Sequence, residues 1–156
     1  MSKKHYYQTT LKWTGNAGSG TADYTAYHRD HEIKASEKIH VISGSSDPAF
    51  RGDRTRYNPE ELLLASLSSC HMLWYLHLCA VHKIVVTEYS DAATATMEAD
   101  KSGSGKFTEV TLHPKVRVLK AAMIEPANEL HHQANKMCFI ANSCNFPVHH
   151  QPDATV

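Results

Sequence analysis

The feature that most constrains this chain is its longest apolar run, residues 58–83, which holds Cys70 near its centre. The run begins with the start signal of a helix. Asn58 can accept hydrogen bonds from the free N–H groups of the first turn, Pro59 suits the first helical position, and Glu60 favours the positive end of the helix dipole. Because apolar residues then fall on nearly every face, the run predicts a central helix that is covered on most sides.

A membrane span is the alternative for this run, because the segment from Leu62 to Val81 is about as long as a bilayer requires. Polar residues interrupt the segment, and the rest of the chain has the polar, strand-forming pattern of a globular protein. These polar residues are Ser66, Ser68, Ser69, His71 and His77. We therefore interpret the run as a core helix and expect no membrane partner.

The length of 156 residues corresponds to about one domain, so we predict a single domain over residues 1–156. A central helix this apolar in so short a chain favours a second subunit that covers part of it. Basic and acidic residues number sixteen each and leave no net charge, so neither nucleic acid nor an anionic membrane is indicated as a partner. The favoured partner is a small molecule.

The first seven residues carry positive charge without an apolar segment behind them, so they do not resemble a secretory signal and we expect a cytoplasmic protein. The four cysteines are then expected to be thiols and not a disulfide framework. A metal site is not expected either, because the chain has no CxxC or HExxH motif and its two pairs of adjacent histidines point apart in regular structure.

Several segments outside the central helix combine β-branched or aromatic residues with turn-forming ends, which predicts strands. They are residues 5–13, 21–28, 38–43, 84–89, 92–99, 107–119 and 145–149. Pro114 makes the segment that contains it an edge or bulged strand, because proline donates no hydrogen bond to a sheet. Apolar residues at spacings of three and four predict a shorter helix over residues 126–142, with Cys138 on its apolar face. This order predicts an α+β fold with antiparallel sheets packed around the long central helix.

Cys70 and Cys79 cannot pair with each other, because nine residues of helix place them on opposite faces and about 13 Å apart along the axis. A disulfide needs Cα atoms within about 7 Å, so the candidate partner of Cys70 within the chain is a cysteine of the second helix, Cys138. The alternative is that a helical cysteine is simply buried, which is the preferred interpretation of Cys79 and Cys144.

Three motifs follow one another along the chain: Asn58–Leu63, Ser69–Leu73 and Cys138–Ser143, with Pro147–Val148 after the last. In these motifs the chain resembles, over most of its length, the OsmC/Ohr family of osmotically inducible and organic-hydroperoxide-resistance proteins. It is more similar to the OsmC-like branch than to the Ohr branch, because a histidine follows the first cysteine and an insert at residues 46–53 precedes the helix.

The resemblance implies an OsmC-like intertwined homodimer that acts as a thiol peroxidase, with Cys70 as the peroxidatic thiol and Cys138 as the resolving thiol. It also implies that an arginine of the N-terminal strands and the glutamate of the first motif assist the reaction. These correspond to Arg29, for which Arg51 is an alternative, and to Glu60. No metal or organic cofactor is implied. The expected partners are an organic hydroperoxide as substrate, a dithiol reductant and a second copy of the chain.

Such a site needs these residue types for physical reasons. Only the thiolate attacks the O–O bond, and a nearby guanidinium lowers the pKa of a cysteine while it donates hydrogen bonds to the peroxide. A buried arginine in turn requires a carboxylate. In a straight helix Glu60 and Cys70 lie about 15 Å apart along the axis, so one arginine cannot contact both. Either the helix bends near Ser66–Ser69, or Arg29 changes partners, or the groups come from different subunits.

The sequence therefore predicts a peroxidase of organic hydroperoxides, with hydrogen peroxide as a secondary candidate substrate, in oxidative or osmotic stress defence. The apolar residues that would suit a hydrophobic substrate tail are Leu67, Leu73, Trp74 and Met137. Two alternatives stay open. One is a non-catalytic OsmC-like stress protein that binds a small molecule, and the other is a thiol redox sensor that acts through a partner.

Overall fold

The computed structural model describes residues 3–156, which form nine short strands and two α-helices. In chain order these elements are β1 (Thr10–Trp13), β2 (His31–Lys34), β3 (Ile42–Gly44), α1 (Pro59–Val81), β4 (Val86–Asp91), β5 (Thr94–Ala99), β6 (Gly105–Leu112), β7 (Pro114–Val118), α2 (Ile124–Met137), β8 (Val148–His150) and β9 (Asp153–Thr155). The chain divides into two compact units, of which the first ends at Leu62 and the second spans Leu63–Val156. The predicted α+β fold class is confirmed.

The first unit contains a three-stranded antiparallel sheet in the order β1–β2–β3. The predicted segments 5–13 and 38–43 contribute only their ends to strands, and segment 21–28 is a series of turns and not a strand. In that segment the Asp23 carboxylate accepts hydrogen bonds from both the amide and the hydroxyl of Thr25. This local bonding competes with pairing in a sheet, which is why the strand-like composition does not decide the structure here.

The second unit contains two three-stranded sheets, with the strand orders β4–β7–β9 and β5–β6–β8. The β4–β7 and β5–β6 pairs are antiparallel as predicted, but β8 and β9 pair parallel to β6 and β7, so both sheets are mixed. Pro114 begins β7, which is a central strand, so the prediction of an edge strand is wrong, and the register shift in the β4–β7 pair lies between Val86 and Glu88 of β4 and not at Pro114. A proline is tolerated at the first position of a strand, and β9, which the sequence did not predict, covers the remaining edge.

The start of α1 is closed by two reciprocal hydrogen bonds, of which the sequence predicts the one that Asn58 accepts. The Asn58 side-chain oxygen accepts from the Glu61 amide at 2.8 Å, and the Glu61 carboxylate accepts from the Asn58 amide at 3.1 Å. This capping box satisfies two donors that have no partner within the helix. The boundary between loop and helix is therefore fixed by local chemistry.

Replacing Asn58 by alanine is expected to lower the free energy of unfolding by about 1 kcal/mol, because the Glu61 amide loses its acceptor. Chemical denaturation followed by circular dichroism measures this loss. Asn58→Asp keeps an accepting oxygen and should stay within a few tenths of a kcal/mol of the unchanged chain. An equal loss in both variants would assign the effect to the burial of Asn58, which is only 7% exposed, and not to the cap.

A single stripe of the α1 surface is buried in the structure. Its residues are Leu67, His71, Tyr75, Leu78 and Cys79. On other faces Leu73 and Val81 are 63% and 61% exposed, so the chain alone covers less of α1 than the sequence predicts. By length and composition, α1 is also the one helix within residues 3–156 that could cross a membrane, a property it shares with core helices of globular proteins.

The second helix ends earlier than predicted, at Met137 and not at residue 142. Cys138 therefore lies directly after α2 in extended backbone, and the prediction that it sits on the apolar face of the helix is wrong. The Asn142 side chain donates to the Lys136 carbonyl at 3.0 Å and satisfies one acceptor that the helix leaves free at its end. The chain then continues into a tight turn at Ala141–Ser143.

Candidate functional site

Two cysteine thiols are neighbours in the second unit. Cys70 lies on α1 and is partly exposed, whereas Cys138 is only 1% exposed, and both are free thiols. Burial, and after it the interaction with the adjacent Cys70 thiol, raise the pKa of Cys138 to about 11, while the Ala141 amide that donates to its sulfur opposes the rise. Cys138 is therefore protonated at neutral pH, and Cys70 is the thiol that is open to a ligand.

Cys70 faces a largely apolar cavity of about 520 Å³. The cavity is lined by Ser66, Ser69, Cys70, Leu73, Trp74 and His77 of α1 and by Phe139 and Ile140. The rings of Trp74 and Phe139 meet edge to face at 5.5 Å and form one wall. Of the predicted lining residues, Leu73 and Trp74 are present, but Leu67 is fully buried in the core and Met137 is not part of the lining, so these two predictions are wrong.

Of the two remaining cysteines, Cys79 is buried as the sequence predicts, whereas Cys144 is only partly buried. Cys79 is buried within the larger of two apolar clusters, where desolvation raises its pKa. Cys144 is half-buried against the smaller cluster, and its thiol donates to the Ile140 carbonyl at 3.3 Å. Neither cysteine lines the cavity that Cys70 faces.

The predicted assisting residues, Arg29 and Glu60, lie in the first unit and are not paired with each other. Arg29 donates hydrogen bonds to the carbonyls of Tyr27 at 2.6 Å and Tyr24 at 2.8 Å, and its guanidinium lies over both rings at 4.2 and 4.4 Å. One Glu60 carboxylate oxygen is buried without a hydrogen-bond partner in the described chain. The alternative residue, Arg51, approaches the ring of Tyr24 at 6.0 Å.

Sequence reasoning missed two contacts between histidines of different elements. His71 of α1 and His131 of α2 are fully buried and are joined by a hydrogen bond of 2.9 Å, while His132 and His150 are joined at 3.1 Å. Burial lowers the pKa of His71 to about 4 and that of His131 to about 3, so both are neutral at neutral pH. The available signal was spacing, because His71 is four residues from both Leu67 and Tyr75 on the buried stripe of α1.

The adjacent histidines 131 and 132 form hydrogen bonds to different histidines, but both rings lie near the ring of His150, with centroids 6.5 and 4.9 Å away. Within residues 3–156, no group of three or more histidine, cysteine, aspartate or glutamate side chains is arranged to hold a metal ion. The described site itself offers a thiol, Cys70, that lines an apolar cavity and a second thiol, Cys138, next to it.

Comparisons with known proteins agree with this fold. The family model described as OsmC-like protein matches residues 52–152. An OsmC-like protein of unknown function from Vibrio cholerae O1 biovar eltor is 26% identical, with a TM-score of 0.85 over 96% of this chain and 100% of that chain. An organic hydroperoxide resistance protein from Elizabethkingia anophelis is 16% identical, with a TM-score of 0.69 over 99% of each chain. A protein titled organic hydroperoxide resistance protein OsmC from Legionella pneumophila is 20% identical, with a TM-score of 0.66 over 98% of this chain and 100% of that chain. No curated protein matches the sequence.

Proposed function

Because the chain belongs to the OsmC-like protein family, we propose that it is a thiol-dependent peroxidase that reduces organic hydroperoxides in stress defence. The observation that carries the proposal is that the Cys70 thiol lines the cavity and interacts with the neighbouring Cys138 thiol. The names of the organic hydroperoxide resistance proteins that share the fold support the same chemistry. The apolar lining supports substrates with a hydrocarbon tail, because such a tail is transferred from water favourably.

In the proposed reaction, the Cys70 thiolate attacks the terminal oxygen of the hydroperoxide. An S–O bond forms and the O–O bond breaks, so that sulfur is oxidised by two electrons and the alkoxide takes up a proton and leaves as an alcohol. The Cys138 thiol then attacks the sulfenic acid on Cys70, an S–S bond forms and water leaves. A dithiol reductant, which is oxidised to its disulfide, restores both thiols.

The geometry of the two thiols supports this division of roles. Cys138 is buried and protonated at neutral pH, so it is poorly suited to make the first attack. Cys70 lines the cavity where a hydroperoxide would bind. We place the reaction in the cytoplasm, where dithiol reductants keep such cysteines reduced.

We further propose that an intertwined homodimer completes the site with Arg29 and Glu60. The exposed Leu73 and Val81 side chains on α1 support a second copy that covers this helix. The unpartnered buried oxygen of Glu60 supports a missing cationic partner, because a buried carboxylate is costly without one. An arginine of the other subunit would supply that partner.

Treatment with one equivalent of cumene hydroperoxide is expected to convert Cys70 and Cys138 to a disulfide, with the loss of two hydrogen atoms per chain. Intact-mass measurement and peptide mapping detect this change. Cys70→Ser should abolish it, and Cys138→Ser should leave a sulfenic acid on Cys70 that dimedone traps. Cys79→Ser is the matched control, because it removes a buried cysteine of the same helix that does not line the cavity.

Two results separate the alternatives. A chain in which Cys70 stays a free thiol while the peroxide is not consumed would overturn the peroxidase proposal in favour of a binding protein. Oxidation of Cys70 without continued consumption of peroxide in the presence of a dithiol would instead indicate a redox sensor.

A further inference from the structure

We propose that the hydrogen bond between His71 and His131 is a positioning contact that holds the Cys70 thiol against Cys138 and so sets how readily the two thiols form a disulfide. The inference rests on the proposed function for its biological role. The dependence of the Cys70–Cys138 disulfide on the histidine pair can be tested without a peroxide.

The histidine pair lies between the two cysteine-bearing parts of the second unit. His71 follows Cys70 directly on α1, and His131 lies two turns before the end of α2, where Cys138 begins the next segment. The rings of His71 and His131 are nearly parallel, at an interplanar angle of 7°. His131 also stacks on Tyr75, one turn further along α1, with ring centroids 3.8 Å apart. Both helices are thus held in register next to the cysteines.

This contact is directional, unlike the packing around it. Within residues 3–156, the His71–His131 bond is the only hydrogen bond that joins α1 to α2. Apart from the stacking of Tyr75 on His131, the two helices contribute apolar side chains to one buried cluster, such as Leu78 of α1 and Leu130 and Ala134 of α2. Apolar contacts depend on buried area and permit small displacements, whereas a hydrogen bond loses its energy when distance or angle changes. The pair therefore specifies one register among those that the apolar packing would allow.

His71 acts through its neighbour and not on the substrate. It is fully buried and does not line the cavity that Cys70 faces. One ring nitrogen of each histidine has no hydrogen-bond partner, so a buried polar group is left unsatisfied on both sides of the bond. Such a pair stabilises a fold poorly, since leucine at both positions would avoid that penalty. A contact that adds little to the stability of the fold but depends strongly on geometry is suited to holding the neighbouring Cys70 in one position.

The test measures the equilibrium between the Cys70–Cys138 disulfide and glutathione. Oxidation of the two thiols reduces one glutathione disulfide to two glutathione molecules, and mass spectrometry gives the oxidised fraction. His131→Leu removes the bond and should lower the equilibrium constant about tenfold or more, because small misplacements of reacting atoms have large effects. His131→Asn retains a polar group at the position of Nδ1 and should restore the constant to within about threefold of the original.

Two further variants keep the test decisive. The double variant His71→Leu/His131→Leu leaves neither histidine of the pair without its partner, so it should fold. It should still show the lower equilibrium constant for the Cys70–Cys138 disulfide. His132→Leu changes the next residue of α2, whose side chain pairs with His150, and should leave the constant unchanged. An unchanged constant in the double variant, or a wild-type chain that forms no Cys70–Cys138 disulfide, would overturn the inference. Absence of peroxide consumption alongside a lowered constant would overturn only the proposed function.

Discussion

The variant Cys70→Ser is expected to consume cumene hydroperoxide at least about a thousandfold more slowly than the unchanged chain. The cause is chemical, because a serine hydroxyl is not ionised at neutral pH and cannot replace a thiolate as the nucleophile. Cys70 is the only cysteine that lines the cavity in the described chain, so no other thiol is placed to substitute for it. Steady-state consumption of peroxide with dithiothreitol as reductant measures the rate.

Cys144→Ser serves as the control for this loss. Cys144 is half-buried and does not itself line the cavity, although its thiol donates to the backbone carbonyl of the lining residue Ile140, so the rate should stay within about twofold. Cys138→Ser should show an intermediate rate, because Cys70 can still attack and dithiothreitol can reduce the sulfenic acid directly. If the Cys70→Ser variant kept a tenth of the activity, the nucleophile would have to be another residue.

The second large effect is expected on stability, which should fall as the pH is lowered from about 6.5 to 4. His71 and His131 have pKa values of about 4 and 3 in the folded chain, lowered from 6.5 mainly by burial. In the unfolded chain both take up a proton near pH 6.5, so their contribution is complete above that pH and is lost as the pH falls toward the folded values. For His71 alone the loss is roughly 3 kcal/mol at pH 4.

Urea denaturation at pH 7 and pH 4 measures this loss. The double variant His71→Leu/His131→Leu cannot take up a proton at either site. Its free energy of unfolding should therefore fall less between pH 7 and pH 4 than that of the unchanged chain, by roughly 3 kcal/mol or more. Charge on His150 or His132 disfavours a proton on the pair and Asp91 favours one on His71, so these three residues are kept unchanged in both chains of this comparison. Carboxylates elsewhere contribute equally to both chains. An equal loss in both would show that the buried pair does not titrate as described.

The start of α1 could be predicted from the sequence because its signal is local. Asn58 and Glu61 are three residues apart and satisfy each other whatever the rest of the chain does. The proximity of Cys70 and Cys138 could also be predicted, because helix geometry excluded Cys79 as the partner of Cys70 and the motifs of the family include both cysteines.

Features that depend on pairing between distant elements could not be predicted in the same way. The strand β9 has three residues and is defined by its register beside β7, as in the pairing of Ala154 with Val116. The end of α2 is set by a side chain five residues beyond it, Asn142. The contact of His71 with His131 spans sixty residues, and periodicity can place each on a buried face without showing that they meet.

Because β8 pairs parallel to β6, the segment that contains Cys138 is expected to reach its native position late in folding. Val110 pairs with Val148, and the chain between these two residues contains β7, α2 and the turn after Cys138. Contacts of such long separation form late, because the loop must be closed before they contribute. Until then all four thiols are accessible to oxidation. Refolding under reducing conditions is therefore expected to prevent scrambled disulfides among them.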